Sequence, residues 1–286
     1  MKKNILITGT DSYVGTNVEK WLLKEPDKYH IETLDMKDPN WRKFDFSKFD
    51  VVFHVAGIAH VSNKKTMEEL YYKVNRDLTI ETAKKAKQSG VHQFIFMSSM
   101  IVYSSKETKI TSETKPNPDN FYGRSKLEAE NGIKVLQDVN FKIVILRPPM
   151  IYGAKSKGNY EKLRKLALTI KVFPNYSNKR SMLYINNLAS FVKYIIDENN
   201  TGLFLPQNPS YSSTSFIVKN VANYHKKLLV TTRIFNPFIS LFKKKISVFN
   251  KMFSDYFYET KDYVLPNFVS LENSIKEIES IKSNHE

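Results

Sequence analysis

Tyr122 and Lys126 stand four residues apart in Tyr122-Gly123-Arg124-Ser125-Lys126, a spacing that places a phenol and an ammonium on one face of a helix. A tyrosine with its ordinary pKa of about 10 is a poor acid or base near neutrality unless a fixed positive charge stabilises its phenolate. Lys126 is placed to supply that charge. Alone, the pattern also describes the exposed polar face of an ordinary helix, so its weight depends on the company it keeps.

The elements that would position the pair begin at the N-terminus. Asn4-Ile5-Leu6-Ile7-Thr8 is an apolar β-run that enters Gly9-Thr10-Asp11-Ser12-Tyr13-Val14-Gly15 and then a helical stretch, Thr16 to Lys24. In such a strand, turn and helix, Gly9 lets the chain turn close to a ligand, Gly15 lets the helix pack on the strand, and the helix start offers N–H groups to a pyrophosphate. Asp35 follows the next apolar run, 20 residues after Gly15, where a carboxylate can receive ribose hydroxyls. Strands near 4–8, 30–35, 51–56, 93–98 and 142–147 alternate with helices near 14–24, 66–89 and 121–137, the rhythm of a parallel sheet. Gly9, Asp35, Ala56, Ser99 and Arg147 all fall at carboxyl ends of those strands, where ligands of such sheets gather.

With Phe94-Ile95-Phe96-Met97-Ser98-Ser99, Asp50 to Gly57, Val74-Asn75, Leu146-Arg147-Pro148-Pro149-Met150-Ile151-Tyr152-Gly153 and Asn178 to Ile185, these motifs resemble the extended short-chain dehydrogenase/reductases, in the NAD-dependent epimerase/dehydratase branch. The resemblance implies an α/β Rossmann-type enzyme acting on a nucleotide-activated sugar. It assigns Tyr122 as general acid/base and Ser99 as hydrogen-bond partner of the reacting oxygen. Lys126 lowers the tyrosine pKa and holds the nicotinamide ribose. Ser99 is preferred to Ser98, a structural hydroxyl, because it lies four residues before Tyr103. Gly9, Ser12, Tyr13, Val14, Gly15, Asp35, Ala56, Lys126 and Pro149 are the cofactor-binding set, and Ser99, Asn159 and Arg180 the substrate-binding set. Arg180 can grip a diphosphate in a bidentate way or be a surface arginine.

Departures from the family pattern carry expectations of their own. Ser12 replaces the middle glycine of the turn, which loosens the grip on pyrophosphate unless its hydroxyl compensates. The interval from Asp35 to Asp50 is short, so residues 41–45 are expected to form a shortened third strand, leaving an adenine contact at Asp45 in doubt. Asp35 favours NAD, while Lys37 keeps NADP open. Met100-Ile101 stands where sugar 4,6-dehydratases carry Asp-Glu, which argues against a dehydratase. Met150 and Ser12 lean toward a 4-ketoreductase of a UDP-4-keto-6-deoxy amino sugar, as in bacterial capsule synthesis; a UDP-sugar 4-epimerase is the alternative, and a non-catalytic dinucleotide-binding sensor or scaffold a second. Asn75 is either a polar contact ordering the site or an exposed helix residue, and His54 and His60 read as satisfied histidines beside the cofactor.

The 286-residue chain has no cysteine, which removes disulfides and thiolate chemistry and fits a cytoplasmic protein. No histidine–carboxylate cluster suggests a metal, no apolar stretch is long enough for a bilayer, and Lys2 and Lys3 precede only a short strand rather than a signal peptide. Residues 1–153, with 183–205 returning to them, are expected to form the dinucleotide-binding domain, and 154–182 with 206–286 a substrate lobe. A homodimer through the helices near 66–89 and 121–137 is the default for the family. The formal charge of +15 is concentrated between Val218 and Lys251, where basic residues interleave with phenylalanines and acids are missing. A solvated basic face with the phenylalanines in the core is the plain reading. Attraction of an anionic nucleotide sugar, or peripheral contact with anionic lipid, are the others; nucleic acid is disfavoured for want of a motif.

Overall fold

Short runs dominated by Ile, Val, Leu and Phe, most followed by a turn and a helix, build one six-stranded parallel sheet. The computed structural model describes residues 2–59, 65–156, 158–243, 245–259 and 263–283. In chain order its first elements are β1 (Lys3–Thr8), α1 (Tyr13–Leu22), β2 (Tyr29–Leu34), β3 (Val51–His54), α2 (Glu68–Tyr71), α3 (Leu78–Gln88), β4 (Gln93–Met97), β5 (Lys109–Ile110), α4 (Phe121–Lys134) and β6 (Lys142–Leu146). They continue with β7 (Met150–Tyr152), α5 (Asn159–Thr169), β8 (Val172–Pro174), β9 (Met182–Tyr184), α6 (Ile185–Asp197), β10 (Gly202–Phe204), α7 (Thr214–Tyr224), β11 (Val230–Thr232), α8 (Asn236–Phe242), α9 (Ser247–Phe253), β12 (Phe257–Tyr258) and α10 (Leu271–Ser283).

The sheet has six strands in the order β10-β6-β4-β3-β1-β2, all parallel. Its central strands are apolar on both faces, as burial beneath helices on either side requires: Ile5, Leu6, Ile7, Val52, Phe53, Phe94, Ile95 and Phe96 are all buried. The chain leaves β1 for β2 on one side and then crosses to β3 on the other. The carboxyl ends of β1 and β3 therefore flank the switch point where open α/β sheets bind ligands. At that point Gly9 adopts a φ of +97°, and a Cβ on it would lie 3.0 Å from the Ala56 amide nitrogen. Glycine is required there on both counts.

Contacts divide the chain into two compact units. The first comprises Met1–Ser105, Lys115–Pro149 and Ile185–Pro206, and so holds the whole six-stranded sheet; the second comprises Lys106–Thr114, Met150–Tyr184 and Gln207–Glu286. Within the second, α5, α7 and α10 surround Glu279. This buried carboxylate accepts hydrogen bonds from Tyr160 (2.8 Å) and Arg164 (2.7 Å) and meets the His225 ring at 2.8 Å.

One local expectation is corrected. Residues 41–45 form no strand, because Pro39 to Lys43 wind into a 3₁₀ turn and β2 is left as the sheet edge. Pro39 has no N–H to donate to a ladder, Asp38 caps the turn by accepting from the Asn40 N–H (2.8 Å), and Trp41 drops into the core with Met36, Phe46 and Phe49. Asp45 instead receives the Ser47 hydroxyl and N–H, which lower its pKa. The helix expected over 66–89 is present, with a π-helical turn at Tyr72–Asp77 between α2 and α3.

His54, at the end of β3, is a satisfied core histidine. It stacks on Phe94, its Nδ1 meets the Thr8 hydroxyl at 2.7 Å and its Nε2 the Thr79 hydroxyl at 3.0 Å. Burial, reinforced by the nearby Lys126 charge, pulls its pKa down to about 3. His60 lies outside the described residues. Because an unfolded chain binds the His54 proton at about 6.5 and the folded one does not, the protein loses stability as pH falls from 6.5 toward 3. Urea unfolding across that window should show a shallower acid slope for His54→Gln than for the wild type; equal slopes would contradict a neutral buried His54.

Candidate active site

α4 carries both chemical side chains, and its first turn is held against the β4 exit. Asn120 caps the helix by accepting from the Gly123 N–H (2.9 Å). A Cβ at Gly123 would fall 2.5 Å from the Ile101 carbonyl oxygen and 2.7 Å from Pro118, so only glycine lets the helix come this close to the turn after β4. That turn, Met100–Val102, is itself capped by Ser99, whose Oγ accepts from the Ile101 N–H at 3.2 Å. The approach brings Ser99 beside the Tyr122 phenol. Tyr71 packs beside the phenol, with ring centroids 5.7 Å apart.

The electrostatics differ from the expectation. Burial pushes the Tyr122 phenol up to about 12, with the Ser99 hydrogen bond opposing the rise and Tyr71 adding to it. Lys126 does not lower it here. Its ammonium donates to the Met97 carbonyl at 2.9 Å and lies 4.6 Å from the Phe96 ring centroid, so its charge is spent on the strand end rather than on the phenol. Burial pulls Lys126 itself down to about 8, with the Glu130 carboxylate working the other way.

Beneath this pair lies a network the motifs did not reveal. Glu130, one turn beyond Lys126 on α4, accepts from the Ser98 hydroxyl and from both Nε (2.9 Å) and Nη2 of Arg147, while Arg147 Nη1 donates to the Tyr103 hydroxyl at 2.7 Å. Burial works against the Arg147 charge, and Glu130 and Tyr103 outweigh it, so its pKa lies above the ordinary value. Ser98 is thus a structural hydroxyl, and Ser99 is the one that faces Tyr122. The available signal for Glu130 was its i+4 spacing from Lys126 beside Ala129 and Ile133 on the buried face.

Asn75 proves to be buried and polar-bonded rather than exposed. Its Oδ1 accepts from the Ile58 N–H (2.8 Å), and its Nδ2 donates to the Ile58 carbonyl (3.1 Å) and the Ser125 hydroxyl (3.2 Å). It therefore ties the chain after β3 to α4. A Cβ on Gly57 would lie 3.0 Å from Asn75 Oδ1 and 3.2 Å from Lys126 Nζ, so the backbone at Gly57 sits directly against the lysine.

The expected dinucleotide residues Gly9, Ser12, Tyr13, Val14, Gly15, Asp35, Ala56 and Pro149 all lie in the unit that holds Ser99, Tyr122 and Lys126. Gly15 is buried, with a hypothetical Cβ 3.1 Å from both Ile7 and Val55. The Ser12 hydroxyl caps α1 by accepting from the Gly15 N–H at 3.0 Å, and Val14 has no acceptor for its N–H inside the helix. Asp35 is exposed just past β2, with its carboxylate accepting from the Lys37 N–H at 2.9 Å. The Pro148 carbonyl accepts from the Met100 N–H at 2.9 Å, which fixes Pro149 next to the Ser99 turn. These features fit a dinucleotide: close backbone approach at Gly9, a helix start beyond it, and a carboxylate at the next strand end.

Asn159 and Arg180 belong to the second unit. Asn159 is exposed at the start of α5. Arg180 is half-buried, its Nη1 donates to the Ser254 carbonyl at 3.1 Å, and its backbone bridges Ser212 and Tyr256. Burial lowers the Arg180 pKa, against the opposing pull of Tyr256 and Asp255.

Two outcomes follow from the buried charges. Lys126 titrates near 8 when folded and near 10.5 when unfolded, so the folded protein gains stability as pH rises through that interval. Lys126→Met should remove that rise and be more stable than wild type below it by on the order of 3 kcal/mol in urea unfolding. Arg147→Met alone should cost about 3–5 kcal/mol by stranding Glu130, whereas Arg147→Met with Glu130→Leu should recover most of the loss; additive losses would contradict the pairing.

Comparison with known proteins agrees with this geometry. The family model described as NAD dependent epimerase/dehydratase family matches residues 5–204. UDP-glucose 4-epimerase of Vibrio cholerae is 32% identical over 249 residues, 78% of this chain and 76% of that protein. Among solved structures, a dTDP-4-dehydrorhamnose reductase ortholog from Clostridium acetobutylicum superposes with a TM-score of 0.77 at 21% identity, covering 98% of this chain and 99% of its own. UDP-glucuronic acid 4-epimerase from Bacillus cereus, solved in complex with NAD, gives 0.76 at 18% identity, covering 99% and 100%. These two likenesses show the shared Rossmann-type fold. The chain belongs to the NAD-dependent epimerase/dehydratase family and is an enzyme of that family, with NAD or NADP as its cofactor.

Proposed function

We propose that the protein carries out oxidoreduction at C4 of a UDP-activated sugar used for surface polysaccharide, in the direction that reduces a 4-keto-6-deoxy amino sugar. The observation that carries this reading is the placement of Ser99 beside the Tyr122 phenol, close enough to oppose the rise in its pKa, with Lys126 one helical turn away on the same helix. The cofactor, when bound, supplies or accepts the hydride. The chain's own groups handle the proton. A phenol held in its neutral form is a donor, so Tyr122 gives its proton to the C4 oxygen as that oxygen gains negative charge, and Ser99 holds the same oxygen by hydrogen bonding. Lys126 is assigned to the nicotinamide ribose, Gly9, Ser12, Tyr13, Val14, Gly15, Ala56 and Pro149 to the rest of the cofactor, and Asp35 to the adenosine ribose, which favours NAD. Asn159 and Arg180 are assigned to the sugar nucleotide.

Reduction is favoured by two features. Ser12 puts a side chain where the family turn has a glycine, which loosens the backbone grip on the pyrophosphate, and a reductase must release its cofactor each turnover. Met150 offers a C4 sugar no polar contact. Buried Met100, directly after Ser99, leaves no carboxylate for elimination. A UDP-sugar 4-epimerase is the second reading, favoured by the 32% identity to a UDP-glucose 4-epimerase. Action in the cytoplasm, as a homodimer through the helices near 66–89 and 121–137, completes the proposal.

The test is incubation with a UDP-4-keto-6-deoxy-N-acetylhexosamine and, separately, with UDP-glucose and UDP-N-acetylglucosamine. Stoichiometric oxidation of added NAD(P)H by the keto sugar supports the reductase; interconversion without net cofactor change means the epimerase. In either case Tyr122→Phe should lower turnover by about 10²–10⁴-fold while retaining dinucleotide binding. Unchanged output from Tyr122→Phe would indicate a dinucleotide-binding sensor instead.

A further inference from the structure

Between Val218 and Lys251 the chain carries eight lysines and arginines and no carboxylate. The phenylalanines of this stretch do not all go to the core, as a plain solvated basic face would have them. Phe235 and Phe238 are exposed, and so are Ile234, Leu241, Ile246 and Val248; the figures for Ile234, Leu241 and Phe238 are 76%, 65% and 52%. The inward side of the same segment is well anchored. Ile239 and Phe253 are buried, and an aromatic row leads outward from Phe253 to Phe249 (6.1 Å) and Phe238 (5.9 Å), with Phe242 4.5 Å from Phe238. α8 and α9 thus hold large apolar side chains outward on a fixed base. Lys226, Lys227, Arg233, Lys245 and Lys251 are exposed along the same stretch, while Lys243 is held on the Tyr176 hydroxyl at 2.9 Å. Lys244 lies outside the described residues.

We infer that this face, from Ile234 to Val248 with its flanking basic residues, rests on the surface of an anionic lipid bilayer. The charge selects the occupant. A second copy of the face would bring like charge against like charge, and with no acid in the stretch nothing offsets the repulsion. Nucleic acid would satisfy the lysines but would leave Ile234, Leu241 and Val248 in water. A bilayer of anionic headgroups takes both: phosphates meet the basic residues, and the apolar side chains enter the acyl boundary. No helix among the described residues is long and apolar enough to cross a membrane, so the contact is peripheral. The inference stands independently of the C4 chemistry.

The experiment is co-sedimentation of the full chain with vesicles of phosphatidylglycerol and phosphatidylcholine in equal parts, against vesicles of phosphatidylcholine alone, at low and high salt. Binding is expected to the anionic vesicles, reversed by salt, with little to the neutral ones. Each basic residue near the surface contributes about fivefold, so Lys226→Gln, Lys227→Gln, Arg233→Gln and Lys245→Gln together should weaken binding on the order of 10²–10³-fold. Phe238→Ser with Leu241→Ser should weaken it about tenfold or more. The basic-residue variant should keep the wild-type circular dichroism, melting temperature and turnover of soluble substrate; the Phe238/Leu241 variant, which also gives up the Phe238 contacts to Phe242 and Phe249, should keep the circular dichroism and turnover with a somewhat lower melting temperature. Absence of vesicle binding, or binding that the Phe238/Leu241 variant leaves unchanged, overturns the inference. So does vesicle-free dissociation of an oligomer by that variant, which would assign the face to a second copy. Salt-sensitive oligonucleotide binding without lipid binding would assign it to nucleic acid.

Discussion

Glu130, with no solvent exposure, faces two buried cations, and the region around the β4 exit is arranged about that arithmetic. Removing a charge from water is costly unless a partner and hydrogen bonds replace the water. Arg147 meets the requirement with two contacts to Glu130 and one to Tyr103. Lys126 does not, having the Met97 carbonyl, the Phe96 ring and a more distant carboxylate, and it responds by losing affinity for its proton. Its half-committed charge is the feature an incoming ligand could complete.

The backbone obeys a second constraint, close approach. Gly123 admits the Ile101 carbonyl, Gly57 admits Lys126 and Asn75, and Gly9 admits the Ala56 amide. Each glycine removes a Cβ where two elements must meet at a strand end. Ser99, Tyr122 and the strand exits come together because these three joints are tight. The π turn at Tyr72–Asp77 serves the same end, for it carries Asn75, which binds the chain after β3 to Ser125 on α4.

Much of the fold and part of the site were legible in the residues. The apolar runs, the glycine turn and the Tyr122/Lys126 spacing are local patterns, and the six-stranded parallel sheet and the α4 helix follow from them. The strand expected at 41–45 from the short interval between Asp35 and Asp50 gives way to Pro39, the Asp38 cap and the pull of Trp41 into the core. The preference for Ser99 over Ser98 came from the family resemblance, by its offset to Tyr103. What engages Ser98 was not legible, since its partner is Glu130, thirty-two residues away in the chain.

Residue type and spacing by themselves determined the fold class and the chemical groups available. They did so because strand and helix periodicity, glycine freedom and the i, i+4 relation are properties of neighbouring residues. Tertiary structure alone decided the protonation behaviour and which polar groups are already engaged. Tyr122 is raised rather than lowered, Lys126 is turned to Met97, Asn75 is buried and Phe238 is not. Each depends on dielectric and on partners distant in sequence, and burial is a property of the packed chain rather than of any segment of it.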